Sequence, residues 1–118
     1  MVTFKVSNLK NMNAELKEFS DFLRSVTVSD DEIFASRLVS CELITNVIRH
    51  GGEVAVFTGE LFADKIEITV TAKSLTGLDL NPTLPDVFAE SGRGLYIVKS
   101  IGDIDEFSDG LKVYIKRK

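Results

Sequence analysis

The sequence predicts an α+β fold: a two-layer α/β sandwich in which a mixed, mostly antiparallel sheet carries three helices on one face. Three observations lead there. Segments of strict apolar–polar alternation are interspersed with segments whose apolar residues recur every three or four positions. Strand segments follow one another directly at two places in the chain, and such short connections permit only antiparallel pairing. Each helical segment has one apolar stripe, which suits a helix lying on a sheet rather than one enclosed on all sides.

The chain opens with Val2, Phe4 and Val6 alternating with Thr3, Lys5 and Ser7, a short half-buried strand. Met12, Leu16, Phe19, Leu23 and Val26 then mark an amphipathic helix. Ser29 followed by Glu32 is a capping box, in which each side chain satisfies an exposed backbone N–H at the start of a second helix. That helix should run to about Arg49 and stop at Gly51 and Gly52, with Ile33, Phe34, Leu38, Cys41, Ile44 and Ile48 as its buried stripe. Two strands follow, one in the apolar run Val54–Phe57 and one in which Ile66, Ile68, Val70 and Ala72 alternate with Lys65, Glu67, Thr69 and Thr71. Residues 74–91, with Gly77, Pro82 and Pro85, read as a long irregular segment, of the kind that is usually a functional lid or disordered. A third helix follows Ser91–Gly94, with Leu95, Val98 and Ile101 on one face and Gly102 at its end. Ile104 and Phe107 suggest a strand, Asp109-Gly110 a tight hairpin turn, and Leu111, Val113 and Ile115 the last strand.

The 118 residues read as a single domain, residues 1–118, large enough to build a core without disulfides. With 14 basic and 18 acidic side chains the net charge is −4, which argues against a nucleic-acid partner, since phosphate contacts need clustered Lys and Arg. Cys41 and His50 are the only cysteine and histidine, too few for a standard zinc site. Nine residues of helix separate them by about 13 Å, which argues against a Cys–His nucleophile pair. No apolar run approaches the length of a membrane span or signal-peptide core, so a cytoplasmic location and no membrane partner are expected.

Two segments could carry chemistry. Glu42 and Asn46, four apart on the second helix, share a face offset from the apolar stripe. An amide oxygen can ligate a hard cation such as Mg²⁺, and a carboxylate beside it can accept a proton. The same pair also occurs on ordinary helix surfaces. The second segment, Ser91-Gly92-Arg93-Gly94-Leu95, enters the third helix. Its glycines let backbone N–H groups approach phosphate oxygens, and Arg93 could pair with a terminal phosphate. A loop that needs glycine only for its backbone would look the same.

Taken in order, Glu42-x-x-x-Asn46 on a helix ending in His50-Gly51, two strands, a Pro-containing segment, and Ser91-Gly92-Arg93-Gly94-Leu95-Tyr96-Ile97-Val98-Lys99-Ser100 resemble the GHKL (histidine-kinase-like) ATPase superfamily. Within it the chain is most like the short anti-sigma-factor serine kinases, and Leu84-Pro85-Asp86 and Asp103–Phe107 fit that branch. The resemblance runs from about Ser29 to the C-terminus. It implies a Bergerat-type ATPase fold with ATP and Mg²⁺ under a mobile lid. Asn46 would match the Mg²⁺-binding asparagine, Glu42 the general base, and Gly92 and Gly94 the phosphate-contacting glycines; His50 reads as a helix-end residue favoured by the helix dipole, with phosphate contact as its functional alternative. It also implies a protein partner, either a sigma factor or an antagonist phosphorylated on serine, and leaves a homodimer open. Any catalysis would be that of a protein serine kinase or ATPase.

The chain departs from that family at the adenine site. With Gly77 aligned as the last glycine of the family's D-x-G-x-G segment, Lys73 stands where the adenine-binding aspartate belongs and Leu75 where the first glycine belongs. A donor-only ammonium thus replaces an acceptor. Leu111 stands where a supporting threonine usually follows the glycine of the last strand. These positions suit a second reading, a nucleotide-free module that keeps the fold and binds a protein partner or dimerises. Among other residues, Cys41 is expected to be a small core residue, the Lys116-Arg117-Lys118 tail solvated, and Phe88 a lid residue.

Overall fold

The computed structural model describes residues 1–26, 28–76 and 93–117; the predictions for Gly77, Phe88 and Gly92, and for the Pro-containing segment, lie outside these. Chain order is β1 (Val2–Val6), α1 (Leu9–Ser25), α2 (Asp30–Asn46), β2 (Ala55–Leu61), β3 (Lys65–Thr71), α3 (Arg93–Ile101), β4 (Asp103–Phe107) and β5 (Gly110–Lys116). A π-helical turn, Val47–Gly51, extends α2, and a 3-10 turn, Lys73–Leu75, follows β3.

The five strands form one sheet in the order β1-β2-β3-β5-β4, and every pairing is antiparallel. Alternation decides which face is buried. Phe4, Phe57, Ile68 and Val113 point into the core, while Thr3, Lys5, Thr58, Glu67, Thr69 and Lys112 form a polar outer face. On that outer face the Lys112 ammonium meets the Glu67 carboxylate at 3.0 Å. On the inner face Phe57 is stacked on Phe4 (centroids 4.5 Å apart) and meets Phe19 of α1 edge-on (5.1 Å).

Both long helices begin as the sequence dictates. The Asn8 side chain accepts the Asn11 N–H at 3.1 Å to start α1. At α2 both halves of the Ser29–Glu32 capping box form. The middle helix is α2, which packs on α1, α3, β3 and β5.

That central position corrects the predicted stripe of α2. Ile33 and Ile44 are buried, but Leu38, Cys41 and Ile48 are only half-buried and Phe34 is 69% exposed. The buried face is instead Ser36, Val39, Ser40, Leu43 and Val47. Small serines bring the helix close to its neighbours. Their hydroxyls are satisfied within the helix, Ser36 donating to the Glu32 carbonyl and Ser40 to the Ser36 carbonyl, both at 2.7 Å.

Smaller corrections concern chain ends and turns. Val26, predicted in the α1 stripe, is 36% exposed just past the helix. The β4–β5 loop is Ser108-Asp109, one residue earlier than predicted, and Gly110 already pairs with Phe107. Arg117 is not simply solvated: its backbone N–H donates to the Asp64 carbonyl (2.9 Å) and its guanidinium to the Phe62 carbonyl (3.0 Å), tying the tail to the β2–β3 turn. No helix among the described residues is long and apolar enough to cross a membrane.

Candidate functional site

The last two turns of α2 carry Glu42 and Asn46, both half-buried. On the adjoining flank Thr45 donates to the Met12 sulfur of α1 (3.8 Å) and lies 4.0 Å from the Cys41 sulfur. Cys41 is therefore a partly buried packing residue against the core. Thr45 and Asn46 are about 100° apart around the helix, so the Glu42–Asn46 face turns away from α1. Neither Glu42 nor Asn46 makes a hydrogen bond or ion pair with another described residue, so the carboxylate and amide are free to take a ligand.

Asn46 is the last α-helical residue. Beyond it the helix widens into the π-turn, a rare geometry that is frequent at functional sites, and Gly52 ends it at φ 61° in the left-handed region. His50 lies in this turn, one turn beyond Asn46; its side chain is outside the described part. The π-turn packs against the 3-10 turn Lys73–Leu75, which in turn packs on β5. Arg93 and Gly94 form the first turn of α3, which packs on α2, although their side-chain surroundings are not described. Segments far apart in sequence therefore gather around α2. Direct contact of Glu42 or Asn46 with Gly77, Gly92, Arg93 or Gly94 lies outside the described residues.

Glu53 is a residue that the sequence reading passed over. Its carboxylate accepts the Ser74 backbone N–H at 2.7 Å, clasping the end of the π-turn to the 3-10 turn. That bond first, then the Ser74 hydroxyl and more weakly Lys73, holds the Glu53 carboxyl below its ordinary value of 4.5. An acidic residue directly after the Gly51-Gly52 stop was the available signal.

Among the described residues the donor set suits a hard cation such as Mg²⁺ at one end. Glu42 and Asn46 are an open acid–amide pair of the right chemistry. At the base end Lys73 is exposed, and Leu75 and Leu111 are almost wholly buried core residues. The Ala72 N–H donates to the Asp109 carbonyl at 2.7 Å, so these positions are close in space. At the positions that the resemblance assigns to the base, hydrocarbon therefore stands in place of hydrogen-bonding groups. No protein-family model matches this chain, and no curated protein matches it significantly.

Proposed function

We propose that this protein is an ATP-binding regulator of the anti-sigma-factor type, acting in the cytoplasm on a protein partner, a sigma factor or its antagonist. One observation carries the reading: Glu42 and Asn46 lie one turn apart, half-buried and unpaired among the described residues, where α2 passes into the π-turn. Asn46 would give Mg²⁺ one oxygen ligand, and Glu42 would accept the proton of a serine hydroxyl in a kinase of this type. The resemblance adds Gly92, Gly94, Arg93 and His50 at the phosphates and Gly77 beside the base. Bound Mg-ATP would supply the phosphoryl group.

A second reading rests on a different observation, the buried Leu75 and Leu111 beside the exposed Lys73. In it the fold binds a protein partner and takes no nucleotide. Isothermal titration with Mg-ATP separates the two. The first reading expects saturable binding that Asn46→Ala weakens at least tenfold. No heat at millimolar nucleotide overturns it. An ATPase or serine-kinase activity that disappears in Glu42→Ala overturns the second.

A further inference from the structure

We propose that the site at the end of α2 recognises a Mg²⁺-chelated triphosphate chain without reading any base attached to it, and that Lys73 is the cation that meets the chain. The inference rests on the nucleotide-binding reading proposed above and deepens it. The ligand class becomes triphosphates in general, nucleoside and inorganic alike.

Telling one base from another takes hydrogen-bonding groups that the right base satisfies and the wrong one leaves unpaired. The 3-10 turn after β3 has spent its own. The Ser74 N–H goes to the Glu53 carboxylate at 2.7 Å, the Leu75 N–H to the Ala72 carbonyl at 3.1 Å and the Thr76 N–H to the Lys73 carbonyl at 3.0 Å. The Thr76 hydroxyl donates to that same Lys73 carbonyl at 2.7 Å. Leu75, and Leu111 at the start of β5, are withdrawn into the core. No backbone N–H from Ser74 to Thr76 is left to meet a base.

Lys73 heads this turn. It is exposed, and its ammonium forms no salt bridge with a described residue. Glu53 does not consume it, because that carboxylate is held first by Ser74 and only last by the Lys73 charge. The Glu53–Ser74 bond and the packing on the π-turn pin the turn beside the end of α2, where Glu42 and Asn46 are unpaired among the described residues. A lysine is a compact cation on a flexible stem, with three donors and no acceptor. It suits phosphate oxygens and cannot accept from the amino group of a base. Asn46 offers an oxygen to Mg²⁺, while the Glu42 charge repels bare phosphate and favours the metal-bound form. Metal and charge thus act on the phosphate chain alone.

Isothermal titration of the full chain with Mg-ATP, Mg-GTP and magnesium tripolyphosphate tests this. All three should bind within about tenfold of one another, since a site without hydrogen bonds to the base discriminates weakly. Tripolyphosphate should displace Mg-ATP competitively. Lys73→Ala should weaken all three by about fivefold or more, and Lys73→Glu further, with the order among them unchanged. Circular dichroism checks that each variant is folded. A difference between ATP and either of the others of more than about tenfold, in either direction, overturns the proposal. Tripolyphosphate that binds without displacing ATP overturns it too, as does Lys73→Ala with unchanged affinities. In these cases, where Mg-ATP still binds, the nucleotide-binding reading stands. No heat from any of the three at millimolar concentration overturns both.

Discussion

Replacing Gly110 with alanine tests how closely β3 and β5 are set beside the candidate site. The positive φ among the described glycines belongs to Gly52, so at Gly110 the constraint is space and not backbone conformation. A Cβ on Gly110 would stand 2.9 Å from the Thr71 Cα and 3.0 Å from the Val70 carbonyl carbon, and closer still to the Val70 oxygen. Carbon atoms pack at about 3.5–4.0 Å, and all three neighbours are backbone, so no rotamer change relieves the overlap. The strands must part, at an overpacking cost of about 1–3 kcal/mol. The Ala72 N–H to Asp109 carbonyl bond at 2.7 Å and one adjoining ladder bond are then strained, worth about 1 kcal/mol each. Together these give about 3–5 kcal/mol, a large share of the ~5–15 kcal/mol that holds an ordinary domain folded. Equilibrium urea unfolding should show the midpoint falling by about 1–3 M at unchanged slope. Gly52→Ala is the control: nothing lies within 4 Å of its Cβ, so it carries only the left-handed backbone cost of about 1–2 kcal/mol. A Gly110→Ala midpoint equal to that of the unmodified chain would refute the reasoning.

Phe57→Ala removes a fully buried ring that touches Phe4 and Phe19, and should cost about 3–5 kcal/mol in the same urea assay. A loss under about 1 kcal/mol would mean that this aromatic cluster does not hold α1 to the sheet. Glu53 sets an acid-side dependence. Its lowered carboxyl pKa contributes stability that is present above about 4.5 and is lost as pH falls through the folded value below it. Glu53→Gln should flatten the decline of the unfolding midpoint below pH 4.5, and identical pH profiles would contradict the clasp.

The fold was legible because its strands and two of its helices carry their faces as simple periodicities. The alternation from Ile66 to Ala72 matches the burial seen, as does the Met12–Leu23 stripe. The α2 stripe was misread for a definite physical reason. A count of large apolar side chains scores Ser36 and Ser40 as polar, yet a serine bonded to its own helix can be buried at a close helix contact. Phe34, scored as core, is on the surface for the same reason, since the true face is rotated toward the serines. At the candidate site the Glu42–Asn46 spacing could be read directly, because it depends only on helix geometry. The Glu53–Ser74 clasp could not: it joins residues 21 positions apart, and no local pattern announces such a contact.

The clasp also explains how the chain accommodates Lys73 and Leu75. In the segment after β3 the Ser74 N–H is taken by Glu53, the Leu75 N–H by the Ala72 carbonyl and the Thr76 N–H by the Lys73 carbonyl. The Leu75 side chain is buried, so these backbone donors and the apolar side chain are satisfied without a ligand. Glu42 and Asn46 are the converse, polar groups held by a rigid central helix and bonded to no described residue. Affinity for a phosphate-bearing ligand would then have to come from the α2 end, through metal and charge rather than hydrogen bonds to a base. Such interactions weaken as salt rises, whereas a base pocket built on hydrogen bonds would be far less sensitive. The salt dependence of Mg-ATP binding therefore reports which end of the site supplies the affinity.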